Sequence, residues 1–570
     1  MSFLPLFVIS LIACLLCADT SSGLSFQCLT ASVTVALVVS GPTAFLPCWL
    51  RRPVQFVLGE LLIGLCLVDC YCQEYFSAPI TPQLLSNVLL SDGRESLEFL
   101  RMFVGTHVLL HWRIVGLLFF ALVLPLALLW QFELNMRRRL IGIVGGVLLA
   151  LCIAVEVPAH YKFVQLFTQQ QNTQNVEGLI FRHYHETAST PLHRLAFAWH
   201  TVKMSANVIE EIKRTTFEAL PDSCSHLSPH IVLVIGESYN KHHSSLYGYQ
   251  LPTTPRQQSR KDAGELFVFT DAVTPWNITS NAFLSLFSLW EHGMDGPVSQ
   301  WPLFPVLFRR AGYEVSFFSN QFTLKGFQKG DTNQTGYFFL SDKELSDSLF
   351  AFRNEKSSKY DLMLVEKLQD YRKTHHEQPY TLDIVHLIGQ HFDYSERYPT
   401  ECTLFTQASY HDRAVDGKAK KVIMHYDNAT RYNDMVVDSI LSVYQEENAV
   451  VIYVSDHGEE VYDELPVSGR LYQEPTAEQA RQEFEVPMWI WCSPTYQQQR
   501  PEVIKSIRHA VGQPFMTDGM PQLLFSLAGL STQWNDERRN VLSPSYQCKP
   551  RIIAGSIDYD VLLGRRTTRF

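Results

Sequence analysis

The sequence predicts an α-helical membrane domain of five transmembrane helices followed by one large α/β domain. Three observations carry this. Long apolar runs crowd into residues 1–158, basic clusters fall between alternate runs, and from Pro229 short β-branched runs alternate with longer amphipathic stretches. The last pattern is that of a parallel sheet covered by helices on both faces. Composition agrees: 570 residues are 46% hydrophobic and only 18% charged, an average that hides two unlike parts. The formal net charge of −10, with no basic stripe and interleaved aromatics, speaks against a nucleic-acid partner.

The apolar runs are Phe3–Ala18, Leu29–Leu50, Val54–Cys72, Ile114–Trp130 and Leu140–Val157. About 20 apolar residues cross a bilayer core, and the second to fifth runs approach that length. The first is shorter, and Leu11-Ile12-Ala13-Cys14 has the look of a lipoprotein cleavage site. A signal peptide would need a basic start, which is missing, so a membrane helix is preferred. Arg51-Arg52 and Arg137-Arg138-Arg139 both fall on the cytoplasmic side if the N-terminus is inside and there are five spans. Everything after Val157 then lies outside the cytoplasm.

The outer loop 73–112 contains "ITPQLLSNVLLSDGRESLEFLRMF", with Asn87, Glu95 and Glu98 on its polar side. It reads equally as an amphipathic helix on the membrane surface or as a solvated loop helix. Residues 159–228 are Gln-rich and then helical in pattern, a linker along the membrane face. Residues 229–570 form the α/β domain, large enough for one core. Of twelve cysteines, eight lie in or beside the apolar runs, while Cys224, Cys402, Cys492 and Cys548 lie in the polar part. Export permits disulfides, but the sequence singles out no pairing.

Sheets of this kind present chemistry at the C-terminal ends of their strands. "IVLVIG" ends at Glu237-Ser238, "DIVHLIG" holds His386 and leads to His391, and "VVIYVS" ends at Asp456-His457-Gly458-Glu459. Carboxylates and imidazoles arriving from separate strands suit Zn²⁺. Each acid alone is also a plausible helix cap. "DAVTPWNITSNAFLSLFSLW" predicts a helix starting near Thr279-Ser280, where a hydroxyl meets free N–H groups that favour an anion.

The stretches "VIGESYNKHHSSLYGYQLPTTP", "IVHLIGQHFDYSERYP", "HYDNATRYND" and "YVSDHGEEVYDE" together resemble the phosphoethanolamine transferases of Gram-negative inner membranes, within the alkaline phosphatase and sulfatase superfamily. "DHGEEVYD" and the ending "IDYDVLLG" are most similar to the subgroup that modifies the lipopolysaccharide core. The resemblance implies a periplasmic sulfatase-like domain on a multi-pass anchor. It implies transfer of phosphoethanolamine from phosphatidylethanolamine to a lipopolysaccharide acceptor, core sugar or lipid A, at the lipid bilayer. Glu237, Asp456 and His457 match the zinc ligands, and Thr279 the nucleophile that also touches zinc, with Asn277 and Ser280 close enough for a slip of register. His386 and His391 match phosphate-binding histidines. Lys325 matches a phosphate-neutralising lysine, with Asn320 or Gln321 beside it. Glu459 matches an acid behind the ligands. Where several members have a later histidine, "PVSGRLYQE" offers Arg470 as a phosphate contact, which leaves a second zinc open. A phosphoglycerol transferase or hydrolase of the same superfamily, and a non-catalytic membrane binding module, are the alternatives. The retained Glu237, Asp456 and His457 argue against the last.

Overall fold

The computed structural model describes residues 4–17, 26–76, 79–80, 84–85, 111–129, 190–321, 339–470 and 475–565. They fall into two compact units, a helical one running to Ser205 and an α/β one beginning at Ala206.

In the helical unit the first four apolar runs form α1 (Leu4–Leu16), α2 (Phe26–Ser40), α3 (Cys48–Phe76) and α4 (Trp112–Leu129), and α5 (Pro191–Glu218) runs across the division between the units. Among these, α3 is long and apolar enough to cross a membrane, over Trp49–Glu74, and α1, α2 and α4 are shorter apolar helices. The fifth run, and the amphipathic stretch Asn87–Glu98, lie outside the described residues. Helices α1, α3 and α4 pack around Ile9, Ala13, Leu62, Ile63, Leu117 and Leu124. A Cβ on Gly59 would stand 2.5 Å from Leu124 Cδ2 and 3.0 Å from Leu6 Cδ1, so a larger residue there would have to displace these leucine side chains. Their outer faces are apolar too: Leu61, Phe119 and Leu122 are exposed. Asp69, fully buried, pairs with Arg194 and accepts hydrogen bonds from Gln73 Nε2 (2.7 Å) and the Ile80 N–H (3.0 Å), as a buried charge must.

The α/β unit is built on a seven-stranded sheet: β1 (His230–Gly236), β2 (Leu266–Phe269), β3 (Glu314–Ser319), β4 (Phe352–Arg353), β5 (Thr381–His386), β6 (Ala449–Ser455) and β7 (Met488–Cys492), in the order β2-β7-β6-β1-β5-β3-β4. Alternation of side chains along each strand feeds two cores. Ile231, Leu233, Ile235, Val450, Ile452 and Val454 enter one, and Val232, Val234, Val451, Tyr453, Trp489 and Trp491 the other. Helices α6 (Thr279–Phe287), α7 (Asp361–Thr374) and α8 (Gly417–Val443) cover the faces, with Phe283 and Leu286 of α6 in the first core and Leu364, Leu368, Val436 and Val437 of α7 and α8 in the second.

Two features depart from the sequence expectation. "VPMWIW" forms β7, but β7 is antiparallel to both neighbours. The segment before it lies at the C-terminal edge of β6, where Gly458 N–H donates to Glu483 O and Ser455 N–H to Pro487 O, so the chain re-enters the sheet from that edge. A run buried on both faces carries no sign of its direction. The two-residue β4 is too short for any periodic signal.

Candidate active site

Parallel register builds the site. Gly236 of β1 pairs with Ser455 of β6, and Ile235 of β1 with His386 of β5. Three strands therefore end side by side, and the next residues, Glu237 and Asp456-His457, leave the sheet together. Glu237, Asp456 and His457 are all 0% exposed. Thr279, the first residue of α6, reaches them from the side: its Oγ1 lies 3.2 Å from Glu237 Oε2 and 3.2 Å from His457 Nε2. His457 Nε2 is 3.3 Å from Glu237 Oε1 and 3.1 Å from Asp456 Oδ2.

These spacings suit a metal ion. A tetrahedral ion with bonds of about 2.0–2.1 Å sets its ligand atoms about 3.3–3.4 Å apart. Glu237, Asp456 and His457 form the one such group of metal-ligating side chains among the described residues. Asp456 Oδ2 is buried and receives no hydrogen bond, although it faces this cluster. Its other oxygen, Oδ1, is held by the N–H groups of Ser238 (3.1 Å) and His457 (2.7 Å), which fixes the carboxylate's direction. His457 Nδ1 donates to Gly458 O at 2.8 Å, so the Nε2 lone pair points into the cluster.

The backbone around the acid is tightly set. Ser238 has φ +55° and its Oγ donates to Glu237 Oε1 at 2.8 Å. Gly389 has φ +47°, and a Cβ there would stand 2.8 Å from Glu237 O and 3.0 Å from Glu237 N, so the loop after β5 presses on Glu237 through a glycine. Burial works against the Glu237 carboxylate, but the imidazoles of His386 and His457 beside it hold its pKa well below the usual range. Asp456 is pushed up, by burial first and then by the Glu237 charge. Burial is the largest influence and opposes a charged His457, yet the Asp456 and Glu237 carboxylates together outweigh it and raise the pKa to about 9. The cluster thus favours a cation at His457 Nε2, and a proton, a guanidinium and a metal ion would compete for that place.

The guanidinium is Arg470. Its Nη1 lies 2.5 Å from His457 Nε2 and its Nε 3.3 Å from Glu459 Oε2. A short antiparallel pair, Val461 with Ser468 and Glu460 with Gly469, turns the chain back and delivers Arg470 to this position. Glu459, also buried, accepts from Tyr394 OH at 2.7 Å through its other oxygen.

The remaining expected residues divide. His386 Nε2 lies 3.8 Å from Glu237 Oε2, its Nδ1 meets Ser319 Oγ at 3.0 Å, and its ring packs edge-on against Phe283. His391 is buried, its Nδ1 donates to Phe392 O at 2.7 Å, and burial pushes its pKa down to about 3, so it is a neutral imidazole. The Asn320 amide is committed to the fold instead: Nδ2 donates to Asp361 Oδ1 (2.7 Å), and Oδ1 accepts from the Ser358 N–H (2.8 Å). Gln321 Oε1 is buried without a hydrogen bond. Lys325 lies outside the described residues.

Two more residues complete the frame: Asp361, which sequence reasoning passed over, and Asn277, which it weighed only as a register alternative to Thr279. Asp361, at the start of α7, accepts from the N–H groups of Ile388 and Gly389, 2.9 Å each, and so holds the loop that carries His391. Asn277 donates to Glu483 Oε2 at 2.6 Å and anchors the turn before Thr279. Aspartate opening a helix was the available signal for the first, and nothing in the sequence tied the second to Glu483.

Comparison with known proteins agrees with this geometry. The Sulfatase family model matches residues 229–520. Phosphoethanolamine transferase EptC of Escherichia coli (strain RS218 / NMEC) is 29% identical over 344 residues, covering 58% of this chain and 57% of that protein. The alignment thus spans little more than half of the relative. The zinc complex of the C-terminal periplasmic domain of EcEptC from Escherichia coli superposes with TM-score 0.50 at 26% identity, covering 60% of this chain and 97% of that one. The integral membrane protein lipooligosaccharide phosphoethanolamine transferase A (EptA) from Neisseria meningitidis shares the fold over 95% of this chain and 97% of its own, with TM-score 0.61 at 17% identity. With the family model spanning more than half of its 570 residues, the chain belongs to the Sulfatase family.

Proposed function

We propose that this chain is a zinc-dependent phosphoethanolamine transferase of a Gram-negative inner membrane, with five spans and its α/β unit in the periplasm. It would move phosphoethanolamine from phosphatidylethanolamine to a lipopolysaccharide acceptor, core sugar or lipid A. The observation that carries the reading is the Thr279 hydroxyl at the start of α6, within hydrogen-bonding distance of Glu237 and His457 in an acid-rich cluster of metal-ligating residues. The names of EptC and EptA support the reaction, and the apolar outer faces of α3 and α4 support the membrane setting. Both substrates are lipids, so a site tethered to the bilayer suits them.

Zinc, held by Glu237, Thr279, Asp456 and His457, would supply a Lewis acid that lowers the hydroxyl pKa and offsets phosphoryl charge. Thr279 Oγ1 attacks phosphorus, its proton leaving toward the neighbouring carboxylate. Diacylglycerol departs as the alcohol, and phosphoethanolamine stays esterified to Thr279. An acceptor hydroxyl or phosphate then attacks the same phosphorus and frees Thr279. The first-turn N–H groups of α6, where Ile278 provides no side-chain cap, would be open to phosphoryl oxygens. His386, His391, Arg470 and Lys325 would bind the phosphate, while Glu459 holds Arg470 in place. Asn320 and Gln321 drop back to supporting roles in this reading.

Mass spectrometry of lipopolysaccharide from a null strain, complemented with wild type or Thr279→Ala, tests the proposal once lipid A and core are separated by mild acid. A phosphoethanolamine increment on one fraction, absent in the mutant, is expected and names the acceptor region. No increment on either fraction returns the weight to a phosphoglycerol transferase or hydrolase. An increment that survives Thr279→Ala removes Thr279 as nucleophile.

A further inference from the structure

Three of the four motif stretches meet at a point that the proposed chemistry does not use. His243 comes from "VIGESYNKHHSSLYGYQLPTTP", Asp427 from "HYDNATRYND" and Asp463 from "YVSDHGEEVYDE". His243 is fully buried between the two acids. Its Nδ1 donates to Asp427 Oδ1 at 2.5 Å and its Nε2 to Asp463 Oδ2 at 3.0 Å. Asp427 lies inside α8, where its other oxygen accepts from Tyr410 OH at 2.7 Å and Tyr249 OH at 2.8 Å. Asp463 Oδ1 is paired with Arg413. Asp463 is therefore gripped from two sides, and one grip leads straight back to a buried helix.

Asp463 sits in the turn of the hairpin that delivers Arg470. This hairpin is slight. Two residue pairs join its strands, and a ribbon of that size is not stable by itself. Tyr462 enters the turn at φ +58°, an unfavourable conformation for an aromatic residue. The outgoing strand is fixed by Val461, which is buried in one cluster with Tyr394, Phe405 and Tyr426. Glu460 Oε1 closes the turn by accepting from the N–H groups of Asp463 (2.6 Å) and Glu464 (3.2 Å). The returning strand, Ser468–Gly469, takes its direction from this turn and ends at Arg470.

We propose that Asp463 is a positioning residue for Arg470: held by His243 and Arg413, it fixes the turn so that the returning strand sets the guanidinium against His457 and Glu459. Its consequence for transfer rests on the reading of Arg470 as a phosphate contact. Without the grip, Tyr462 is free to leave its strained conformation and the hairpin shifts. Arg470 then becomes accessible, and the lone pair of His457 Nε2 is released to a metal ion.

The test is arginine labelling of the full-length protein in detergent, kept free of metal, with phenylglyoxal and peptide mapping. Arg551, 1% exposed and paired with Asp271 and Asp560, is the internal reference. In the wild type Arg470 should label as slowly as Arg551. In Asp463→Ala it should label at least about tenfold faster, the factor that loss of one hydrogen bond to a charged group implies, with Arg551 unchanged. Zinc affinity by chelator competition should rise by up to about tenfold in Asp463→Ala. It should change by less than about twofold when Arg470→Met is already present. Arg413→Met, which removes one partner from a loop, should move both readings the same way by less, and it stands in where Asp463→Ala does not accumulate. Arg470 labelling that stays slow in Asp463→Ala overturns the proposal. So does faster labelling of Arg470 and Arg551 together, which would make Asp463 a support of the whole fold. An equal zinc shift with and without Arg470→Met also overturns it, since the effect would not pass through Arg470. Neither reading needs transfer, so a missing lipopolysaccharide increment counts against the proposed function and leaves this result standing.

Discussion

One lone pair cannot serve a guanidinium and a metal ion together, and His457 Nε2 is claimed by both. Arg470 Nη1 approaches it to 2.5 Å, and Glu459, whose side chain is 2% exposed, anchors the arginine from behind. Loading zinc requires that contact to break. A hydrogen bond to a charged group is worth about 1.5–3 kcal/mol, and about 1.4 kcal/mol is a factor of ten. Arg470→Met removes the competitor and one nearby positive charge, so zinc should bind roughly ten- to hundredfold more tightly. Transfer should move the other way. Loss of one preorganised donor to a developing anion costs about 10²–10³ in rate, so activity should fall by at least about a hundredfold. Zinc affinity by competition with a chromogenic chelator, and transfer followed by mass spectrometry on the same preparations, read the two effects separately. If zinc affinity falls together with activity, Arg470 is a support for the ligands. If activity is unchanged, it does not meet the phosphate.

Other outcomes follow from the same geometry. Thr279→Ala should lower transfer roughly 10³-fold or more and abolish the covalent adduct, yet keep zinc within a few fold by direct metal analysis, since three ligands remain. Asp456→Asn should weaken zinc strongly, because Oδ2 has no other partner, and the chelator competition that reads Arg470→Met reads this too. Gly389→Ala puts a Cβ at φ +47° against the Glu237 backbone, so we expect about 1–3 kcal/mol of lost stability together with weakened zinc, by denaturant melts and metal titration. His243 lies between Asp427 Oδ1 at 2.5 Å and Asp463 Oδ2 at 3.0 Å. Burial opposes its charge, but Asp463 and Asp427 raise its pKa from 6.5 to about 10. Its contribution is therefore complete below pH 6.5 and is lost as pH climbs through about 10. Asp463, opposed by burial but drawn down by His243 from 3.8 to about 2, contributes above pH 3.8 and fails as pH falls toward 2. Thermal melts should fall off at both ends, and His243→Gln should cost about 3–5 kcal/mol at neutral pH by leaving buried acids unpaired.

Much of the site was legible because the sheet makes it so. A β-branched run that stops on an acid says where a strand ends, and parallel register then brings such ends together without further information. Glu237, His386 and Asp456-His457 could be read this way, and the helix start narrowed the hydroxyl to Thr279 or Ser280, between which only the family resemblance chose. What could not be read depends on contacts distant in sequence. Asn320 looks like a phosphate donor, but its amide is taken up by Ser358 and Asp361, about forty residues on. Asp361 looks like an ordinary helix start, yet it fixes the loop of His391. The direction of β7 depends on where the preceding segment lies against β6, and no periodicity records that.

The electrostatics of the cluster argue that binding of a metal there would be coupled to folding of the site. Three carboxylates, Glu237, Asp456 and Glu459, are 0–2% exposed around His457. Burial raises the pKa of Glu459 and, with the Glu237 charge, that of Asp456, which means that each ionised form costs free energy where it stands. Arg470 compensates one of them, and the N–H groups on Asp456 Oδ1 compensate part of another. Nothing among the described residues compensates Asp456 Oδ2 except the imidazole beside it. A buried charge left in that condition is strongly unfavourable unless it is neutralised or paired with a cation. A divalent ion at Glu237, Asp456 and His457 would remove the deficit in one step, and the parallel strands beneath set these side chains at spacings that suit one. The unused oxygen of Asp456 thus says more about the site than the hydrogen bonds that surround it.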